Sequence, residues 1–275
     1  MAELVEANCF VYIYVLFNQH SVRGEDKVKK VSFFIYGLVN YIFFNLVLLY
    51  FIAFIGNFLV PKTIDSGTTS AQAVLIDVAL IVLFGLQHSI MARPAFKRIW
   101  STIVPPPIER STYILFSCLA LVLLCGLWQP IPTSLWQVDN TFAYFTLQGL
   151  FWFGWLFSLY ATFLVDHFDL MGLRQVRLFL QETPYTPVPF KEHSLYRFIR
   201  HPIMLGTMIG LWATPSMSVG HFLLSSGLTL YILIGVRLEE KDLNQFHGEN
   251  YQQYCQRTSM IMPNFGKLIN FLYKS

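Results

Sequence analysis

The feature that most limits what this chain can become is a run from residue 31 to residue 61 with no Asp, Glu, Lys or Arg. At 1.5 Å per helical residue such a run exceeds the ~30 Å hydrocarbon core of a bilayer. Similar runs recur. Residues 71–91 form a second, broken by Asp77 and His88; residues 111–128 form a third and residues 141–165 a fourth. Residues 201–236 are long enough for two helices, divided at 214–220 by the turn-forming Thr214-Pro215-Ser216-Met217-Ser218-Val219-Gly220.

Lipid offers no partner to backbone N–H and C=O groups, so a spanning segment is a helix or part of a closed barrel, and runs this long are helical. Composition agrees, since only 13% of the residues are charged, against roughly 25% in soluble domains. The expected fold is all-α: a polytopic membrane protein with about six transmembrane helices. The last two form a helical hairpin with arms of roughly 15 residues, short for a full crossing. Residues 239–256 alternate charged and aromatic side chains and are expected as an amphipathic helix on the membrane surface. This divides the chain into an N-terminal extension (1–30), four transmembrane helices (31–165) and a segment with the hairpin and surface helix (166–275).

Basic residues are retained on the cytoplasmic side of a membrane. With a cytoplasmic N-terminus and six crossings, Arg23, Lys27, Lys29, Lys30, Arg93, Lys97, Arg98, Arg110, Arg174, Arg177, Lys191, Arg197, Arg200 and everything after Val236 fall inside. Of 19 Lys and Arg, only Lys62 is left outside. Both termini are therefore expected in the cytoplasm, and the basic clusters need no nucleic acid to explain them. The four cysteines form no Cys-x-x-Cys pair, and the sequence suggests neither a disulfide framework nor a metal site.

Ionisable groups at membrane depth are costly and point to function. Three cytoplasmic segments hold the candidates: Gln87-His88-Ser89; residues 166–175, with His167 and Arg174; and the two ends of the hairpin. A hairpin returns its exit beside its entry, so Arg200-His201-Pro202 is expected against Glu239-Glu240. Arg200 and His201 can hold a carboxylate, and Glu239 or Glu240 can accept from hydroxyls or an ammonium group. Gly206 and Gly210 permit close approach by a neighbouring helix or a ligand.

Tyr196-Arg197-Phe198-Ile199-Arg200-His201-Pro202, then Gly206, Glu239-Glu240, Phe246, Gly248, Tyr251, Tyr254, Arg257 and Pro263 resemble the isoprenylcysteine carboxyl methyltransferase superfamily. Further segments, among them Leu86-Gln87-His88-Ser89-Ile90-Met91-Ala92-Arg93-Pro94 and His167-Phe168-Asp169-Leu170, are similar to its methanethiol S-methyltransferase branch. The resemblance implies a bacterial cytoplasmic-membrane enzyme that methylates a small thiol, with S-adenosylmethionine as methyl donor. It implies a donor site from Tyr196, Arg200, His201, Leu205, Gly206, Glu239, Glu240, Tyr251 and Arg257. Methyl transfer to sulfur needs a thiolate, and thiols are mostly protonated near neutrality. His88 is the first candidate to take the proton, His167 the second, with Arg174 as an electrostatic partner. Two alternatives stand beside this: methylation of another small thiol or a lipid, and a haem-binding membrane protein using His88, His167, His201 or His221, the last of which the topology puts on the outer side.

Overall fold

The computed structural model describes residues 27–188, 192 and 194–263. Arg23, Lys191, the side chain of Phe246 and the extension up to residue 26 lie outside them. The described elements, in chain order, are α1 (Lys27–Gly56), α2 (Ala73–Ala92), α3 (Pro94–Trp100), α4 (Pro106–Leu127), β1 (Ser134–Gln137), α5 (Thr141–Val165), α6 (His167–Leu170), α7 (Leu173–Leu180), a 3₁₀ turn (Ser194–Arg197), α8 (Pro202–Trp212), β2 (Ser216–Ser218), α9 (Val219–His247) and α10 (Glu249–Arg257). Five of these helices, α1, α2, α4, α5 and α9, are long and apolar enough to cross a membrane.

The expected even hairpin is built unequally. α8 has 11 residues and α9 has 29. Nothing in Arg237-Leu238-Glu239-Glu240 breaks a helix, so α9 runs on through Glu239 and Glu240. It stops at Gly248, whose φ of +56° suits glycine. The expected surface helix is thereby split: its first half extends α9 and its second half is α10. α8, at 1.5 Å per residue, covers about 16 Å, and non-helical chain flanks it at both ends. Backbone outside a helix needs other partners for its N–H and C=O groups. Here Arg200 N–H donates to Ser259 O (2.8 Å) and His201 N–H to Met260 O (3.1 Å), with Ile199 and Ser259 in a parallel bridge. At the other end β1 and β2 pair antiparallel, an element the sequence did not suggest.

α5 and α8 make the most extensive contact in the bundle. Its basis is glycine: a Cβ on Gly154 would lie 2.5 Å from Gly210 N, and one on Gly206 would lie 2.6 Å from Gly154 O. The main apolar core lies between α1, α2, α4, α5, α8 and α9, around Phe54, Trp128, Trp155 and Leu224. A second cluster joins Tyr196, Leu243, Tyr251 and Tyr254 with Leu164 and Val165 from the end of α5.

Candidate functional site

Pro202 opens α8, where its missing N–H costs nothing, and this fixes Arg200 and His201 just ahead of the helix. The returning α9 presents Glu239 and Glu240 to them. Arg200 Nε–H donates to Glu240 Oε1 (2.6 Å), and the guanidinium also donates to Cys255 O (3.1 Å) and Thr258 O. His201 lies between the two carboxylates, with Nδ1 3.2 Å from Glu239 Oε1 and Nε2 3.1 Å from Glu240 Oε1. Both ring nitrogens can donate only in the charged form. Arg200, His201, Glu239 and Glu240 thus form a largely buried group with two positive and two negative charges.

Burial alone would lower the His201 pKa, but the charge of Glu239 and the bonds to both carboxylates outweigh it and hold it above the ordinary 6.5. A raised folded-state value stabilises the fold fully below about 6.5, and that stabilisation is lost as pH rises through the folded value. We therefore expect melting in mild detergent to fall as pH rises above 6.5, and His201→Gln to flatten that slope. An unchanged slope in the variant would show that another group sets it.

The aromatic members stand behind this cluster. Tyr196 O accepts from Tyr254 Oη (2.6 Å), and Tyr196 Oη–H reaches Ala161 O on α5 (3.4 Å). Burial first, then the charges of Glu240 and Glu239, push the Tyr251 hydroxyl well above its usual range. Leu205 is half-buried, one turn into α8, with its N–H bonded to His201 O. Two expected members stand apart. Arg257 is exposed and paired with Glu192 at 2.5 Å, and the open side of Gly206 is occupied by the α5 backbone.

The three residues expected to activate a thiol each have partners of their own. Arg174 is engaged with Asp169 Oδ1 (2.9 Å) and Thr186 O (2.8 Å), and Tyr185 donates to the other Asp169 oxygen (3.1 Å). It fastens the segment after α7 onto α6. His88 and His167 each occupy a network of their own, and the two networks follow one rule. Ser117 donates to Tyr113 O (3.0 Å), so it accepts from His88 Nδ1–H (3.0 Å), leaving Nε2 to accept from Tyr113 Oη–H (2.7 Å). Likewise Thr162 donates to Leu159 O (2.6 Å) and accepts from His167 Nδ1–H (2.8 Å), while Tyr41 Oη–H donates to Nε2 (3.0 Å). In its neutral form each histidine carries its proton on Nδ1.

Their surroundings differ. His167 is 3% exposed, and its ring stacks on Phe163 at 4.3 Å. Burial, only partly offset by Asp166, lowers its pKa, which makes it a poor proton acceptor. His88 is half-buried, stacks on Phe84 and meets the edge of Tyr231 on α9. Tyr231 precedes Glu239 by eight residues, about 12 Å along the same helix. The Arg110 guanidinium lies 4.9 Å from the centroid of the Tyr113 ring. Sequence reasoning gave Tyr113, Ser117 and Arg110 no role in the site, although Arg110 and Tyr113 lie in a segment similar to the methanethiol S-methyltransferase branch and Tyr113 and Ser117, four apart, share a face of an apolar helix. His88, His167 and His201 each have both ring nitrogens bonded to side chains, so a haem reading gains no ligand from them.

The NnrU protein family matches residues 76–271. A methanethiol S-methyltransferase of Crocosphaera subtropica is 45% identical over 251 residues, covering 90% of this chain and 98% of the relative. One from Mycobacterium tuberculosis is 43% identical over 238 residues, covering 86% and 98%. Nurim of Xenopus laevis is 34% identical over 194 residues, covering 66% and 68%. No solved structure matches the chain.

Proposed function

This chain belongs to the NnrU protein family, with methanethiol S-methyltransferases among its relatives along most of its length, and on that footing we propose that it methylates methanethiol to dimethyl sulfide with S-adenosylmethionine. It is an integral membrane protein, and its site opens to the cytoplasm of a bacterial cell, with both termini on that side. The observation that carries the reading is the buried cluster of Arg200, His201, Glu239 and Glu240 at the hairpin mouth.

The cluster suits the donor because it offers cations and carboxylates together. Arg200 and His201 can turn from Glu240 to a carboxylate, and Glu239 and Glu240 can then accept from an ammonium or ribose hydroxyls. Tyr251 and Tyr196 supply aromatic walls on the same side. When bound, S-adenosylmethionine supplies an electrophilic methyl group on a sulfonium sulfur. The chain's own share is to hold the two reactants in line, exclude water and take the thiol proton. A small apolar thiol can reach such a site through the bilayer, between α2 and α9, where the facing side chains are Phe84, His88 and Tyr231.

The test is headspace detection of dimethyl sulfide from membranes carrying the chain, supplied with S-adenosylmethionine and methanethiol. Wild type is expected to produce it. Absence of product from protein shown to bind S-adenosylmethionine would remove methanethiol as acceptor while leaving a methyltransferase.

A further inference from the structure

His88 as the base meets a geometric obstacle. Its Nδ1 is held by Ser117 and its Nε2, the nitrogen able to accept a proton, is covered by the Tyr113 hydroxyl at 2.7 Å. A thiol could reach Nε2 directly only by breaking the shortest bond in the network. A hydroxyl oxygen, however, can accept a proton on one side while it donates on the other.

We propose that Tyr113 is the catalytic residue that receives the thiol proton and that His88 acts through it, as the store of that proton. The proposal rests on the methanethiol reading above. The S–H bond of the thiol breaks and its proton passes to Tyr113 Oη, while the proton already on Oη passes to His88 Nε2. The sulfur lone pair makes the new S–C bond, and the electron pair of the broken S–C bond stays with the donor's sulfur. His88 is left as an imidazolium whose Nδ1–H remains on Ser117, and it later returns its proton to water by way of the cytoplasmic side.

Three further observations favour this pair over the matching one at His167. The Arg110 cation lies over the Tyr113 ring, where it stabilises negative charge developing on the phenol during the hand-over. Arg110 Nε–H is itself anchored on Leu170 O at 2.7 Å, so the cation is fixed in place. And His88 touches the helix that carries Glu239 and Glu240. Tyr113 is only 3% exposed, so the proton moves in a site from which bulk water is excluded.

The experiment compares two acceptors, methanethiol and methaneselenol, with wild-type protein and Tyr113→Phe from about pH 6 to 9. A selenol is already an anion at neutral pH, so it needs no relay; a thiol with a pKa of about 8.5 or above does. With methanethiol, Tyr113→Phe is expected to lose about a hundredfold at neutral pH and to regain about tenfold per pH unit as free thiolate accumulates. With methaneselenol it is expected to stay within about threefold of wild type. S-adenosylmethionine binding, read by calorimetry, should not change. Equal losses on both acceptors, or a methanethiol profile like wild type, would overturn the relay alone. No dimethyl sulfide from wild type would bring down the methanethiol reading and the relay with it. Should Tyr113→Phe fail to accumulate, His88→Gln carries the same comparison, because glutamine can keep the Tyr113 hydroxyl bonded but cannot store its proton.

Discussion

Replacing Glu240 with alanine is expected to abolish dimethyl sulfide formation and to cost about 3–5 kcal/mol of stability, the usual effect of removing one partner from a buried ion pair. Glu240 is the hub of the cluster, since one oxygen takes both Arg200 Nε and His201 Nε2. Arg200 is 8% exposed and His201 4%, so Arg200 cannot turn to water when its carboxylate goes, and His201 keeps only Glu239. The loss spreads further, because Arg200 also ties Cys255 and Thr258 to the start of α8. Glu240→Gln keeps an acceptor but not the charge, and it should fall between wild type and alanine in both melting temperature and product. Glu240→Ala melting within a degree or two of wild type would show that the cluster is not held as described.

What could be read from the sequence was set by what each feature costs in a membrane. The spans were legible because charge is excluded from lipid. The pairing of Arg200-His201 with Glu239-Glu240 was legible because a hairpin fixes its own neighbours. The unequal hairpin was not, since the apolar pattern of residues 201–236 marks lipid contact and says nothing of where helix hands over to extended chain. The strand-like support from Ser259 and Met260, which lets Arg200 and His201 sit without a helix around them, depends on segments about 60 residues apart. The two tyrosine–histidine–hydroxyl networks assemble across helices, α2 with α4 and α1 with α5 and α6. No periodicity within one helix announces them. The partners of Arg174 were not legible either: its guanidinium is engaged with Asp169 and Thr186, the latter 12 residues further along the chain.

Gly206 allowed two uses in the sequence, close approach by a helix or by a ligand, and its replacement separates them. Gly206→Leu is expected to leave little folded protein. Its Cβ would stand 2.6 Å from Gly154 O and 2.7 Å from Ser158 N, both backbone atoms that cannot swing aside. Overpacking a close-packed interior costs about 1–3 kcal/mol where side chains can yield, so here roughly 3 kcal/mol or more is expected. The damage also falls on the site, because pushing α8 away from α5 moves His201, one turn earlier, away from Glu239 and Glu240. Gly149→Leu is the control: it lies on α5 as well, and nothing stands within 4 Å of its added Cβ. Accumulation in membranes and melting without S-adenosylmethionine should fall for Gly206→Leu and hold for Gly149→Leu. If Gly206→Leu instead melted like wild type and lost only S-adenosylmethionine binding, the glycine would be serving the ligand and the contact with α5 would not be what requires it.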